Sequence, residues 1–479
     1  VSSRHRYDVR LDSSPSAAPA VGKPVDREPR SVLLVGDFSG SHGEAAALAG
    51  TLRPVLVDRD TVDEAMRAVG PAVELPTGGA LGFTALEDFD PDALMGRVPH
   101  LGAILDGRDP GFVAGASDAP GGAAGDEPAD AEGSHGTAVD GGGTPGGVDL
   151  LGQILDRASG PESPSAARPD DGRSGPLDSV RSFAAEAARH DTLPNEDPAD
   201  VAREQDARGR AADALRRFLR RSDVRGLERR WRSVDLMTRR LDTGPDLHVY
   251  LVDLSRGALA AETHSGGGLE ASAFGALLRG GAPDGHPWTT VVLLDGTYGP
   301  GDDDQMVLAW ATALCAAFGS TLLVEGHPTL AGIPSLDALT DSSAWTEVPD
   351  SWRAFRTQPE AGALCVSLPG FLLRYPYGTE GDEIETMPFE EIEGTPGPRD
   401  GLWANGSVAT AIVITREADR DDPSRPADTR LTGLPLFPWK DGVRSGLLCG
   451  ETAMTDGAAR RLGEVGLVPV AWARGDDAV

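Results

Sequence analysis

Apolar and polar positions fall into blocks along the chain, and the blocks define its elements. Ser31–Gly36 is a continuous apolar run closed by glycine, the pattern of a strand buried on both faces. Pro54–Val57 is a second, shorter strand candidate. Glu44–Leu52 and Val62–Val69 read as short helices. Phe83 to Phe89 reads as a strand leading into Asp90-Pro91-Asp92, where an aspartate cap and a proline in the first turn start a helix. That helix carries Leu94, Val98, Leu101, Ile104 and Leu105 on one stripe. Pro99 should kink it.

From Gly111 to Gly147, Gly, Ala, Pro, Asp and Ser dominate without a period. Such a stretch cannot repay its ordering entropy and reads as a flexible linker. Residues 148–157 interrupt it with a short island, in which Leu150, Leu151, Ile154 and Leu155 make a two-turn amphipathic stripe. Either it is a docking peptide that lays one face in a groove, or it packs on its own domain. Helical spacing then dominates from Asp178 to Arg240, broken near Asp191–Pro198. Leu215, Phe218 and Leu219 form one stripe, and Val224, Leu227, Trp231 and Val234 another.

The remainder alternates strands and helices. His248–Leu254, Trp288–Leu294, Thr321–Val324 and Ala363–Val366 read as strands. Gln305–Phe318 and Thr455–Glu464 read as helices, the first behind the acidic start Asp302-Asp303-Asp304 that suits a helix dipole. Leu402–Ile414 reads as a helix followed by a strand. The fold class expected is α/β, with mixed layered sheets and helices, a disordered linker and a helical segment.

Composition narrows the function. Hydrophobic residues make up 39% and aromatic residues 5% of 479, so part of the chain is expected to stay unpacked. The net charge of −31 repels phosphate and argues against nucleic acid and anionic membranes as partners. Lysine occurs only at Lys23 and Lys440, so arginine carries the positive charge. Cys315, Cys365 and Cys449 are odd in number and far apart, which favours free thiols over disulfides or a zinc site. With no apolar signal core or membrane span, a cytoplasmic location is expected.

Candidate chemistry is sparse. Gly36-Asp37-Phe38-Ser39-Gly40 follows a strand, yet it lacks the lysine a phosphate loop needs, and Asp37 would repel phosphate. No Gly-x-Ser-x-Gly elbow stands at a strand-to-helix turn. His327 is the best catalytic candidate, but a structural histidine suits it better. Asp295 and Asp302–Asp304 follow a buried strand; they could hold a metal, but a turn and a helix start explain them more simply. Glu380 to Glu393 is an acidic run that reads as a solvated loop, or as one that meets a basic partner. No catalytic, cofactor or metal residue is assigned.

Read in order, the motifs resemble a known pair. Val32–Leu105, with Gly-Asp-Phe-Ser-Gly, Val57-Asp58-Arg59-Asp60 and Leu86-Glu87-Asp88-Phe89-Asp90-Pro91-Asp92, resembles the small subunit of the type VI secretion contractile sheath. Leu150 to Val470 resembles the large subunit. It carries the Leu-Leu-x-x-Ile-Leu helix, Leu227-Glu228-x-x-Trp231-Arg232-Ser233, Leu247 to Ser255, Pro328-Thr329-Leu330-Ala331-Gly332, Leu368 to Gly378 and Leu402 to Gly406. The domains expected are a disordered segment over 1–30, a small-subunit-like domain over 31–110 and a linker over 111–176 with a helix at 148–157. A helical segment over 177–240 and a large-subunit-like α/β domain over 241–479 follow.

The resemblance implies a non-enzymatic structural subunit. It would assemble with copies of itself or with partner sheath proteins around an inner tube, which contraction drives outward. Baseplate and AAA+ unfoldase partners are implied as well. Leu150, Leu151, Ile154 and Leu155 match the helix that the unfoldase recognises. Packing between the two fused parts is assigned to Asp37, Phe38, Trp231, Tyr375 and Tyr377. Against the family pattern, the two subunits are fused, so the linker would raise the effective concentration of one part for the other. The long C-terminal helical part of the small subunit is replaced by linker. The large subunit's final interlocking region is expected to be absent. A sheath-derived adaptor that does not polymerise is the alternative reading. An α/β metal-dependent enzyme around Asp295, Asp302 and His327 is the third.

Overall fold

The computed structural model describes residues 29–40, 52–76, 78–98, 101, 103–104, 197–264, 272–378, 384–394, 396–397, 400–418, 427–441, 444–472 and 477–479. The described residues up to 104 and from 204 onward fold as one compact unit. The island at 148–157 and the helix expected at 44–52 lie outside the described residues, save for Leu52.

The N-terminal part supplies strand β1 (Arg30–Gly36), β2 (Val55–Val57), helix α1 (Val62–Val69), the β3–β4 hairpin (Ala72–Glu74, Ala80–Gly82) and α2 (Pro91–Arg97). Two long helices follow, α3 (Pro198–Leu219) and α4 (Ser222–Arg240). Then come β5 (Leu247–Asp253), α5 (Arg256–Thr263), α6 (Ala273–Gly280), β6 (Trp288–Leu293), α7 (Asp302–Ala317), β7 (Thr321–Glu325) and α8 (Asp350–Arg356). The chain continues through β8 (Leu364–Leu368), β9 (Phe371–Arg374), β10 (Leu402–Ala404), α9 (Gly406–Ala418), β11 (Phe437–Asp441), β12 (Arg444–Leu448), α10 (Asp456–Glu464) and β13 (Val468–Pro469).

Seven strands make the central sheet in the order β13-β8-β7-β6-β1-β5-β2. All neighbours pair in parallel except β2 with β5. The apolar run of β1 explains its place. Val32 and Leu34 face one side of the sheet and Leu33 and Val35 the other, and all four are buried. Only an interior strand with helices on both faces buries such a run. β1 therefore lies between β5, with Arg30 opposite Leu247 and Gly36 opposite Asp253, and β6, with Val32 opposite Thr290.

The Val32/Leu34 face is covered by α4 through Leu227, Trp231 and Val234, by α9 through Val408 and Ile412, and by Phe38, Phe89 and Leu94 from the N-terminal part. The Leu33/Val35 face packs against α5, α6 and α7, with Leu259, Phe274 and Leu308 in the core. The stretch 31–110, read as its own domain, thus gives β1 to the interior and β2 to one edge of a sheet whose other five strands come from residues beyond 246.

Local expectations are corrected in three places. The stretch Phe83–Phe89 is not a strand: strand pairing ends at Gly82, and Leu86–Phe89 forms a 3-10 turn. Leu402–Ile414 runs strand then helix, the reverse of the expected order, because Leu402–Ala404 pairs with β9 before Gly406 opens α9. Asp90 stands at the start of α2, but its side chain makes no cap hydrogen bond.

Candidate assembly interface

The two sequence blocks meet at the turn after β1. Asp253 ends β5 and Asp295 lies just past β6, so the strands flanking β1 each leave a carboxylate at the same edge of the sheet. The Asp37 backbone N–H donates to Asp295 Oδ2 at 2.8 Å, and the Ser39 N–H donates to Asp253 Oδ1 at 3.0 Å. Arg230 from α4 donates to Asp295 Oδ1 at 2.8 Å and lies 3.8 Å from Asp37 Oδ2. Burial raises the Asp253 carboxyl above its ordinary range, and the charge of Asp37 adds to this.

Phe38 and Trp231 lock the turn to α4. Both are fully buried, with ring centroids 5.3 Å apart in an edge-on arrangement. The Trp231 indole N–H donates to the Phe38 carbonyl at 3.0 Å, which satisfies a polar group inside the core. Gly40 finishes the turn at φ +74°, and a Cβ there would meet the Ala72 carbonyl oxygen at 2.5 Å. Only glycine fits both the backbone and the space.

A second contact joins α2 to α4 and β9. The Tyr377 hydroxyl donates to Asp90 Oδ1 at 2.9 Å, and Arg232 Nη2 donates to the same oxygen at 3.2 Å. Arg232 also donates to Glu228 Oε1 at 2.7 Å. Arg374 forks between Glu228, at 2.6 Å, and Glu391, at 2.7 Å, and its guanidinium lies 3.9 Å from the Tyr377 ring centre. Burial alone would raise the Glu228 carboxyl, but Arg374 and Arg232 overcome it and hold it at about 2. At Asp90 the balance reverses: burial raises its pKa against the pull of Tyr377 and Arg232. Nearby, Asp92 accepts from the backbone N–H groups of Glu385 and Thr386 at 3.0 and 2.9 Å.

Of the residues assigned to packing between the two parts, Asp37, Phe38 and Trp231 meet at the first contact and Tyr377 at the second. Tyr375 is 43% exposed and belongs to neither. Leu150, Leu151, Ile154 and Leu155 lie outside the described residues. Sequence reading missed Arg230, Asp253, Glu228, Arg232, Arg374 and Glu391 as interface residues. One signal was available: Glu228 lies on the same helical face as Val224 and Trp231, and a carboxylate on an apolar stripe needs a buried partner.

Of the residues weighed for catalysis, Asp295 and His327 have structural partners. Asp295 is engaged by Arg230 and the Asp37 N–H. Asp302 is exposed in the first turn of α7. His327 Nδ1 lies 2.7 Å from Thr329 Oγ1 and 3.3 Å from the Thr329 N–H, and burial lowers its pKa. Among the described residues, no group of three or more His, Cys, Asp or Glu side chains is placed to hold a metal ion. Cys315 and Cys449 are buried, with the Cys449 thiol donating to the Ala478 carbonyl at 3.2 Å, and Cys365 is half-buried. No helix of the described residues is long and apolar enough to cross a membrane.

Comparison with known proteins divides the chain along the same line. Residues 210–479 match the family model VipB, described as EvpB/VC_A0108, tail sheath N-terminal domain. Residues 26–110 match a second one, described as type VI secretion system, VipA, VC_A0107 or Hcp2. The type VI secretion system sheath protein TssC1 of Pseudomonas aeruginosa is 24% identical over 277 residues, covering 54% of this chain and 55% of that protein. The chain thus spans about half the length of that relative.

Proposed function

The chain belongs to the VipB tail sheath family, and from that premise we propose that it is a structural subunit of a contractile sheath of the type VI secretion kind. One observation carries the reading. β1, from the part that matches VipA, is an interior strand between β5 and β6, both from the part that matches VipB. A strand hydrogen-bonded on both sides is a structural joint, and the buried aromatic pair and arginine–carboxylate contacts reinforce it. The chain thereby carries both kinds of sheath element in one folded unit. Its work is mechanical: it positions surfaces for neighbouring subunits and transforms no substrate. The engagement of Asp295 by Arg230 and the Asp37 N–H supports the non-enzymatic reading over a metal site there.

The partners proposed are further copies of this chain or other sheath proteins, arranged around an inner tube. A baseplate and an AAA+ unfoldase that engages Leu150, Leu151, Ile154 and Leu155 complete the set. Electron microscopy of the purified chain, alone and mixed with the products of its neighbouring genes, tests this. Tubes, stacked rings or co-assembly with a sheath are expected. Monodisperse particles that bind a sheath without extending it would replace the proposal with the adaptor reading. No association in any mixture would remove both.

A further inference from the structure

Residues 384–394 form neither helix nor strand. Even so, Ile384, Met387, Phe389 and Glu391 are buried, so this half of the acidic run lies against the core as a strap. Three elements hold it. At its start, Asp92 of α2 accepts from the Glu385 and Thr386 N–H groups and from the Thr386 hydroxyl. Toward its end, Arg216 of α3 donates through Nε to the Glu390 carbonyl at 2.7 Å and pairs through Nη2 with Glu393 at 2.8 Å. The same guanidinium lies 5.4 Å from the Phe389 ring centre and donates through Nη1 to Asp213 at 2.6 Å. Behind both, the strap is paired with the residues after β9. The Glu391 N–H donates to the Tyr377 carbonyl at 2.9 Å, and the Tyr377 N–H donates to Glu391 Oε2 at 2.9 Å. Arg374 secures that carboxylate at 2.7 Å.

These attachments grip the start of α2 twice. The strap binds Asp92 directly. Asp90 is bound by the Tyr377 hydroxyl, and Glu391 holds the backbone of Tyr377 in place. Asp90 and Asp92 come from the part that matches VipA, whereas Arg216, Tyr377 and the strap come from the part that matches VipB. We propose that residues 384–394 are a releasable clasp between the two parts: Arg216 keeps it shut, and its opening frees the start of α2 while β1 stays in the sheet. The two joints differ in kind. β1 is bonded by a backbone ladder on each side. The clasp depends at both ends on side chains, and a segment with so little regular backbone bonding belongs to the part of a fold that opens first. Glu393 is 67% exposed, so salt screens its pairing with Arg216. Arg374 and Glu391 are buried and stay paired, so the clasp opens from its Arg216 side. All of this lies within one chain, so a failed clasp would leave the sheath reading untouched.

Amide hydrogen exchange on the full chain, resolved to single residues, tests the clasp at about 0.05 and about 0.5 M NaCl. The wild type is compared with Arg216→Ala, Asp92→Asn and Glu393→Gln. The hydrogen bonds of Arg216 go to Asp213, Glu390 and Glu393, so an effect at residues 385–386 must travel along the strap. In Arg216→Ala, exchange at 385–386, at 391 and in α2 should rise together, on the order of tenfold for loss of a charged hydrogen bond. The β1 and β6 amides should be unchanged. Asp92→Asn should raise exchange at 391 in return. Glu393→Gln should give a smaller rise, which high salt reproduces in the wild type. A rise confined to 391 in Arg216→Ala, or equal loosening of β1, overturns the proposal. Should Arg216→Ala fail to fold, Glu393→Gln and the salt series decide, and unchanged exchange at 385–386 in both overturns it.

Discussion

Phe38 shows how much a single side chain contributes at the joint between the two sequence blocks. It is fully buried against Trp231, and its own carbonyl receives the indole N–H at 3.0 Å. Truncation to alanine removes the ring from a packed core and leaves a cavity, at a cost of about 3–5 kcal/mol. Phe38→Ala should lower the urea midpoint of unfolding accordingly. Phe38→Leu keeps most of the volume and should lower it less. Asp295, at the same turn, illustrates why residue type alone does not fix a role. A carboxylate past a buried strand suits a metal as well as a turn. Its actual partners, Arg230 and the Asp37 N–H, lie 65 and 258 residues away in sequence. No local pattern encodes that pairing.

Between elements, charge rather than apolar contact sets the condition for docking. Glu228 of α4 is fully buried and holds Arg374 of β9 and Arg232 one turn on. Its carboxyl, held at about 2, lies below its ordinary value of 4.5. Its stabilisation is therefore complete above the ordinary value and disappears as pH falls through that interval. Glu228→Gln leaves Arg232 and Arg374 short of a charge and should cost about 3–5 kcal/mol at neutral pH. The difference in stability between variant and wild type should shrink on acidification toward about pH 2. Chemical denaturation across that pH range reads it, and a constant difference would refute the assignment. Elements with one strong period were legible in advance: β1 by its apolar run, α4 by its Trp231 stripe, α10 by its Thr455 start. The Phe83–Phe89 stretch was not, because Phe83 and Phe89 stack at 4.2 Å across a 3-10 turn, which an apolar pattern cannot distinguish from a strand. Leu402–Ala404 was not either, since its strand exists only through pairing with β9.

At the scale of the molecule, the sheet makes the two family segments interdependent. Removing β1 would expose the facing edges of β5 and β6 together with the core residues that Val32, Leu33, Leu34 and Val35 cover. Neither part can then be expected to bury its apolar surface alone, and the covalent connection between them matters for concentration rather than for contact. A protease site placed between residues 111 and 176 separates these ideas. After cleavage, the two pieces should still co-elute in gel filtration, because the parallel ladders on both sides of β1 and the Phe38–Trp231 contact persist. In Leu34→Asp, a charge enters the middle of the sheet without a partner. That variant should shed the N-terminal piece once cut, and should show increased exposure of apolar surface by dye binding. Separation of the cut wild-type pieces under native conditions would mean that the connection, and not the sheet, holds the molecule together.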